Sequence, residues 1–339
     1  MRIGLHDAEK EYMKNKTFPN YALMKISAYH KARGDTVTWW KWNKKPPEVD
    51  DQITMSGITE IEEFSNELSE YNSKFDTVYS SKVFDFTPEN PYLPQNTVRG
   101  GTGYADIPPE QQLPHEIDDI FPDYSIYPEC DYAIGYITRG CPNNCRWCVV
   151  PAKEGPIKPY REWQHLVRPD TKKLVLMDNN ILACEYGITQ LENLIGSGYE
   201  IDLNQGMDAR LVDDRTAWIL ARLKWIRFIR FSCDQIQQIE AIMHTTELLE
   251  KYGKKPYNIF VYLLVTKDIE NAAYRVERLR LLKGINIYAQ AERNEQKGII
   301  PNALQLEFAQ RYVYGRCYKH ESWEEYLKRH KETRRLQHG

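Results

Sequence analysis

The sequence of 339 residues predicts an α/β protein whose strands form parallel sheets in two domains. Three observations support this fold class. Strand and helix patterns alternate at the start of the chain, a proline-rich stretch interrupts them, and the alternation then resumes and continues to residue 292. The composition agrees, because 42% hydrophobic and 27% charged residues are typical of a soluble globular protein. The net charge of −3 gives no overall argument for nucleic-acid binding.

The first domain begins with a β-α-β pattern. A helix is predicted between residues 18 and 35, because Asn20 can cap its start and Gly34 stands where a helix ends. Strands are predicted at residues 2–6, 36–40 and 75–84. Right-handed crossovers between them would make this a Rossmann-like parallel sheet.

Residues 86–128 are rich in proline and predict loops and a linker. We place the domain limits at 1–118 for the Rossmann-like domain, 119–315 for the second domain and 316–339 for a basic, amphipathic C-terminal helix. That helix is interpreted either as solvated or as a contact for nucleic acid or another partner.

The second domain repeats a βα pattern six times, with helices predicted at 187–198 and 214–224. Six units predict a partial (β/α)6 TIM-type barrel, in which chemistry collects at the carboxyl ends of the strands. The predicted strands are residues 132–138, 173–178, 199–205, 226–234, 258–266 and 285–292.

Three cysteines follow the first of these strands with the spacing C-x3-C-x2-C: Cys141, Cys145 and Cys148. A closed zinc site would need a fourth ligand such as Cys130 or His165, and the second C-x2-C pair of a zinc ribbon is absent. Chance clustering fits poorly, because the segment is polar. Three thiolates can also hold a [4Fe–4S] cluster and leave one iron open to a further ligand. The other cysteines, Cys130, Cys184, Cys233 and Cys317, are dispersed.

The motif, with Trp147 directly before the third cysteine, resembles the signature of the radical S-adenosylmethionine (radical SAM) superfamily. The resemblance covers roughly residues 130–295. It implies a [4Fe–4S] cluster on the three cysteines, S-adenosylmethionine bound to the open iron, and reductive cleavage that starts radical chemistry. It also implies an electron donor such as flavodoxin or ferredoxin. The substrate stays open between a small molecule, a peptide and RNA.

The resemblance further suggests cofactor contacts at the strand ends. Residues 178–180 stand where the family grips the ammonium group of the cofactor, although they match by position only and a strand-end turn is the alternative. Arg210 can hold the carboxylate, with a structural Asp–Arg pair equally open. Trp147 can pack near the adenine or belong to the core. The candidate cofactor residues are Trp147, Asp178, Asn179, Asn180, Asn204, Gln205, Asp208, Arg210, Ser232 and Asp234. Gln290, Glu292 and Arg293 add candidates after the sixth strand.

A Rossmann-like domain before the barrel resembles the cobalamin-dependent members of the superfamily. Residues 80–84 and 99–104 can stand for two of their three motifs, but D-x-H-x-x-G is absent, so cobalamin is not favoured. The RNA methylthiotransferases are a poorer match. No cysteine precedes Cys130 to hold their auxiliary cluster, and the residues after 320 are too few for their RNA-binding barrel.

Two alternatives to a simple radical SAM enzyme therefore remain. One is a cobalamin-dependent radical SAM methyltransferase, and the other is a non-catalytic zinc or iron–sulfur protein that binds a macromolecule. No apolar run approaches the ~18 residues that span a bilayer, and the N-terminus lacks an apolar signal core, so we expect a cytoplasmic protein without membrane partners.

Overall fold

The computed structural model describes residues 1–13, 18–47, 55–314 and 321–338. The chain divides into two units, Met1–Cys130 and Asp131–Gly339. Both contain parallel strands and helices, which confirms the α/β class. None of the described helices is long and apolar enough to cross a membrane.

The first unit is built on one four-stranded sheet with the order β2-β1-β3-β4, and every pairing in it is parallel. The strands are β1 (Arg2–Asp7), β2 (Thr36–Trp39), β3 (Thr77–Ser81) and β4 (Val98–Gly100). The helices are α1 (Ala8–Tyr12), α2 (Tyr21–Ala32), α3 (Met55–Asn72) and α4 (His115–Asp118).

The predicted first helix is confirmed as α2. The Asn20 side chain accepts a hydrogen bond from the N–H of Leu23, which caps the helix start. Gly34 has a φ of 80° directly after the end of the helix, a conformation that glycine adopts without strain. Leu23 and Ile26 are buried against Ile3 and Leu5 of β1.

Several elements of this unit were not predicted, namely α1, α3, α4 and β4. Helix α3 carries Ile61, Phe64, Leu68 and Tyr71 at helical spacing, a signal present in the sequence, and packs Phe64 against Trp42 with ring centroids 5.7 Å apart. Strand β4 lies in the stretch predicted as loop. It has only three residues, too few for a period-2 pattern, and pairing with β3 defines it.

Part of the predicted linker packs on the first unit. Leu113, Ile117 and Ile126 join the apolar cluster around β1 and α2. The unit therefore extends to Cys130.

The second unit contains two parallel sheets, with the orders β10-β9-β8-β5 and β11-β12-β13. A parallel bridge between Met207 and Phe231 joins the segment after β9 to β11. The strands are β5 (Ala133–Gly135), β6 (Thr138–Arg139), β7 (Lys158–Pro159), β8 (Lys173–Leu176), β9 (Glu200–Leu203), β10 (Lys224–Trp225), β11 (Ile229–Ser232), β12 (Ile259–Val265) and β13 (Asn286–Ala291).

Helices connect these strands, and two further helices follow the last strand. The helices are α5 (Val150–Glu154), α6 (Glu185–Leu194), α7 (Asp214–Arg222), α8 (Gln238–Lys251), α9 (Ile269–Leu279), α10 (Ala303–Tyr314) and α11 (Trp323–His338). Strand β12 shows how the faces differ. Ile259, Val261, Leu263 and Val265 are buried in the main core, while the residues between them are only half-buried. One side of the strand therefore packs under the helices, and the other carries the aromatic and polar groups.

The predicted strand 132–138 is interrupted. The N–H groups of Ile137 and Thr138 donate to the carboxylate of Asp178 instead of to a neighbouring strand. Strand β5 therefore ends at Gly135, and Thr138 begins the short β6, which pairs antiparallel with β7. This hairpin carries the three cysteines.

The other predicted strands of this unit are found, up to three residues shorter at their ends, while the helix predicted at 187–198 is found as α6, which begins two residues earlier and ends four residues earlier, and the helix predicted at 214–224 is found as α7. The predicted C-terminal helix is found as α11, while residues 315–320, which include Cys317, lie outside the described residues.

Candidate functional site

The cysteine loop begins at Gly140, where the backbone has a φ of 88°. The N–H of Cys141 donates to the carbonyl of Gly155 (3.1 Å), which closes the loop at its base. Inside it, the N–H of Cys148 donates to the carbonyl of Cys145 (3.0 Å), and the N–H of Val150 donates to Cys148 Sγ (3.4 Å). The loop is thus a folded segment held at both ends, and all three cysteines are partly exposed free thiols.

The three thiols influence each other electrostatically. Burial raises the pKa of Cys145, and the charges of Cys148 and Cys141 raise it further. Burial also raises the pKa of Cys148 against the hydrogen bond from Val150, which lowers it. Bringing thiols together disfavours ionising all of them, unless a metal supplies positive charge.

Within the described ranges, no group of three or more His, Cys, Asp or Glu side chains, the three loop cysteines included, is placed to hold a metal ion, so the three thiols would have to come closer together to bind a cluster. Of the two candidate fourth zinc ligands, His165 is exposed at the end of a single 3-10 turn, Trp163–His165, and Cys130 is buried. The donor chemistry of the loop, three thiols without a disulfide, is the soft set that iron–sulfur clusters and zinc take.

An ion pair that the sequence did not reveal fixes the base of the loop. Arg139 donates to Glu154 Oε1 (2.9 Å), and Glu154 Oε2 accepts from the N–H of Gly140 and from Asn179 Nδ2, both at 2.9 Å. The Arg139 guanidinium also lies 4.2 Å from the Tyr136 ring centroid. Because Glu154 is 15 residues from Arg139, no local pattern could have identified the pair.

Asp178 and Asn179, two of the predicted cofactor residues, form hydrogen bonds that hold this loop. Asp178 is buried and accepts hydrogen bonds from Ile137 and Thr138. Burial raises its pKa to about 6, although these hydrogen bonds act in the opposite direction. Both residues therefore position the strand and hairpin that lead to Cys141.

Asn180 differs from its two neighbours, because its Oδ1 is buried and has no hydrogen-bond partner. Its Nδ2 lies 3.8 Å from Cys141 Sγ and donates to it. A buried acceptor without a donor costs stability. The Oδ1 atom of Asn180, beside the first cysteine, is therefore an acceptor that could take a hydrogen bond from a bound ligand.

The predicted pair after the third strand is present. Arg210 Nε and Nη2 donate to the two carboxylate oxygens of Asp208 at 2.8 and 2.6 Å. Burial works to raise the pKa of Asp208, but Arg210 and Asn143 outweigh it and hold that pKa below its usual range. Asn143 donates to Asp208 from within the cysteine loop (3.1 Å), so the third strand end contacts the loop. The negative charges of the Cys145 and Cys141 thiolates also help to raise the pKa of Arg210.

Asp234 follows the fourth strand, and its negative charge helps to raise the pKa of Cys145 and of Cys148. Burial raises the pKa of Asp234, and the N–H of Leu264 donates to it (2.9 Å). Ser232 is half-buried two residues before it. Asp234 is therefore near enough to the loop for its charge to influence two of the thiols.

The remaining predicted residues are less closely tied to the loop. Trp147 is half-buried, with the Arg146 guanidinium 5.7 Å from its ring. Gln205 is exposed and donates to Asn204 Oδ1 (3.2 Å), while Gln290 near the end of β13 and Arg293 after it are exposed. Cys233 is buried, and burial raises its pKa to about 12, which identifies it as a core residue.

A polar group on the inner strand faces was missed by the sequence analysis. Arg230 forms an ion pair with Asp202 at 2.6 Å, and its Nη1 donates to the Tyr262 hydroxyl at 3.3 Å. The Tyr262 hydroxyl in turn donates to the carbonyl of Asn204 (3.0 Å). Polar residues at alternating positions of consecutive strands were the available signal.

In the first unit, the glycine loop after β4 is closed. A Cβ on Gly101 would stand 2.2 Å from the carbonyl oxygen of Lys82, and one on Gly103 would stand 2.6 Å from that of Phe84. His6 is buried between Ser80 Oγ (2.7 Å) and Glu11 Oε2 (2.6 Å). The glycines therefore serve close packing of the chain on itself.

In comparisons with known proteins, the chain matches no family model and no curated protein.

Proposed function

We propose that this protein is a radical SAM enzyme in which Cys141, Cys145 and Cys148 hold a [4Fe–4S] cluster. One observation carries the proposal. The C-x3-C-x2-C segment lies on a loop beyond the carboxyl end of a parallel strand, polar groups that follow the next two strands contact it, and the charge of Asp234 after β11 influences its thiols. Sites of parallel α/β folds are built at this edge.

We further propose that the parallel strands of the second unit form a partial (β/α)6 barrel. The strand neighbours β5, β8 and β9 on one side, and β11, β12 and β13 on the other, support this architecture. The bridge between Met207 and Phe231 makes the series continuous. The N-terminal sheet is interpreted as Rossmann-like from its parallel order β2-β1-β3-β4.

When bound, the cluster and S-adenosylmethionine would supply the reducing electron and the radical that starts the reaction. Asn180 Oδ1 would accept from the ammonium group of the cofactor, because that oxygen is buried and has no other donor. Arg210, already paired with Asp208 and about half exposed, would present its remaining N–H groups to the carboxylate.

Several other residues fix the position of the cysteine loop. Glu154 joins Arg139, Gly140 and Asn179, and Asp178 fixes Thr138, so the segment before Cys141 is held in place. Arg230, Asp202 and Tyr262 are candidates to orient a substrate on the inner strand faces. A site whose parts are fixed in advance does not spend binding energy on ordering them.

Cobalamin does not belong to this proposal. The loop at Gly101 and Gly103 packs on Lys82 and Phe84, so it offers no open cradle. His6 is buried and already has partners at both ring nitrogens.

Anaerobic reconstitution with iron and sulfide tests the proposed function. We expect about four iron and four sulfide ions per chain, and formation of 5′-deoxyadenosine with dithionite. A Cys145→Ser variant should lose both, whereas Cys184→Ser, a half-buried cysteine outside the triplet, is the matched control and should keep both. One zinc per chain with no iron or sulfide would instead support the metal-dependent binding protein.

A further inference from the structure

A cavity of about 430 Å³ lies at the opposite ends of the strands in the second unit. It is lined by the start of β9 (Glu200), by β10 and by the residues that precede β11 and β12. The cysteine loop follows the carboxyl end of β5, so the cavity lies at the amino-terminal edge of the same strand series. It is separate from the site described above.

The lining is strongly basic. It includes Arg222, Lys224, Arg227 and Lys254, with Glu200 as its one acidic residue. Throughout the described part of the chain, none of these four cations has a carboxylate within ion-pair distance. Partial burial lowers the pKa of Lys254. Unpaired cations that share a cavity repel each other, and an anionic ligand would relieve that repulsion.

Basic side chains without carboxylate partners continue along this edge beyond the cavity. Lys172 precedes β8 and donates to the Tyr199 hydroxyl (3.3 Å). Lys255 precedes β12, and Lys283 precedes β13; both are exposed. Neighbouring strands are about 4.8 Å apart, so the series from β8 to β13 extends over roughly 20 Å. That length suits a chain of phosphates better than a single phosphate group.

Aromatic rings accompany these cations. Trp225 lines the cavity, and its Nε1 donates to the carbonyl of Leu220 (2.8 Å), which fixes the ring. Tyr257 is next to the lining residue Asn258 and is 61% exposed. Its backbone is held, because Asn286 Nδ2 donates to the Tyr257 carbonyl (3.0 Å). An exposed ring on a fixed backbone is suited to stacking on a base.

We propose that this amino-terminal edge binds the phosphate backbone of a single-stranded nucleic acid. Lys224, Arg227 and Lys254 contact phosphates in the cavity, and Tyr257 stacks on a base beside it. The overall charge of −3 does not oppose this, because a local group of cations can bind phosphates on a molecule whose net charge is slightly negative. The inference does not rest on the proposed radical chemistry.

The test is fluorescence anisotropy of the full-length chain with labelled single-stranded RNA and DNA of about 16 nucleotides, at several salt concentrations. The triple variant Lys224→Glu, Arg227→Glu, Lys254→Glu should bind at least about tenfold more weakly. Its slope of log affinity against log salt should be smaller by about two, since each lost contact with a single strand removes about 0.7. The neutral set Lys224→Gln, Arg227→Gln, Lys254→Gln should show the same trend, which covers the case in which charge reversal impairs folding.

Lys41→Glu, Lys45→Glu, Lys74→Glu is the matched control, because it makes the same charge change at exposed lysines of the first unit. It should leave most of the affinity intact. Tyr257→Ala should weaken binding about tenfold, while Tyr274→Ala, at a tyrosine that is 50% exposed on α9, should not.

Three results would overturn the proposal: no binding by the wild type, equal losses in the control triple variant, or full displacement of the oligonucleotide by inorganic pyrophosphate at equal phosphate concentration. The last result would assign the cavity to a small anion. Iron content and 5′-deoxyadenosine formation should be unchanged in the variants, so failure here is distinguishable from failure of the proposed function.

Discussion

Asp178 accepts two hydrogen bonds from Thr138, one from the backbone N–H and one from Oγ1 (2.7 Å), although the two residues are 40 positions apart. This contact ends the first strand of the second unit and starts the hairpin that carries the cysteines. A strand-end residue that the sequence suggests as a ligand for a cofactor thus supports the cysteine loop.

The first prediction concerns the pH dependence of stability that Asp178 causes. Its pKa is raised to about 6 by burial, against an ordinary 3.8. Between about pH 4 and 6 the folded chain holds a proton that the unfolded chain has released, so this contribution to stability is lost as pH rises, by up to about 3 kcal/mol.

Asp178→Asn should remove this dependence of the free energy of unfolding on pH. The variant should be less stable than the wild type at pH 4, because an amide places donors against the N–H of Ile137, and the difference should shrink toward pH 7. Denaturant unfolding of both proteins at pH 4, 5, 6 and 7 measures the difference in their free energies of unfolding. A difference that does not vary with pH would contradict the raised pKa.

The second prediction separates a ligand contact from a structural one at Asn180. Asn180→Leu removes a buried oxygen without a partner, so we expect the free energy of unfolding to change by less than about 1 kcal/mol or to rise. Binding of S-adenosylmethionine to the reconstituted protein should weaken at least about tenfold, since a hydrogen bond to a charged group contributes roughly 1.5–3 kcal/mol.

Asn179→Leu is the matched comparison. It removes the bond to Glu154 (2.9 Å), so it should destabilise the fold by about 1 kcal/mol. Equilibrium dialysis and denaturant unfolding of both variants distinguish the two roles. If Asn180→Leu costs more stability than Asn179→Leu and leaves cofactor binding intact, Asn180 is a structural residue.

The third prediction concerns the backbone at the start of the cysteine loop. Gly140 has a φ of 88°, and an added Cβ would stand 2.3 Å from the carbonyl oxygen of Pro156. Gly140→Ala should therefore cost about 2 kcal/mol or more and release iron faster from the reconstituted protein.

Gly155→Ala provides the control in the same loop. Gly155 also has a positive φ of 69°, but nothing lies within 4 Å of its missing Cβ. We expect only the conformational cost of about 1 kcal/mol there. Equal effects of the two substitutions on denaturant midpoint and iron release would show that the contact with Pro156 does not matter.

The fourth prediction is the pattern of cysteine reactivity. Cys233 is fully buried and its pKa is raised to about 12, so brief alkylation of the native protein should leave it unmodified. Cys141, Cys145 and Cys148 are partly exposed and should be alkylated in the protein without iron. Reconstitution should protect these three and leave the reactivity of Cys184 unchanged. Peptide mass spectrometry measures the alkylation of every cysteine in one experiment. If Cys141, Cys145 and Cys148 are still alkylated after the protein has taken up iron, the iron is bound elsewhere.

Local features determined much of what the sequence could predict. Helix α2 follows from Asn20 at its start and Gly34 after its end, because a cap and a breaker act within a few residues. The strands of the second unit follow from short apolar runs, and the three thiols follow from a spacing visible within eight positions. Helix α3 was missed although the spacing of Ile61, Phe64 and Leu68 indicated it.

Only the tertiary structure decided the partners of the polar residues. Asp208 meets Asn143 across 65 positions, Glu154 meets Asn179 across 25, and Asp178 meets Thr138 across 40. The unpaired cations at the amino-terminal edge come together in the same way, from the starts of different strands. The sequence determines which residues end or begin each strand, because periodicity and turn chemistry are local. Which of them meet depends on strand order and register, which long-range packing sets.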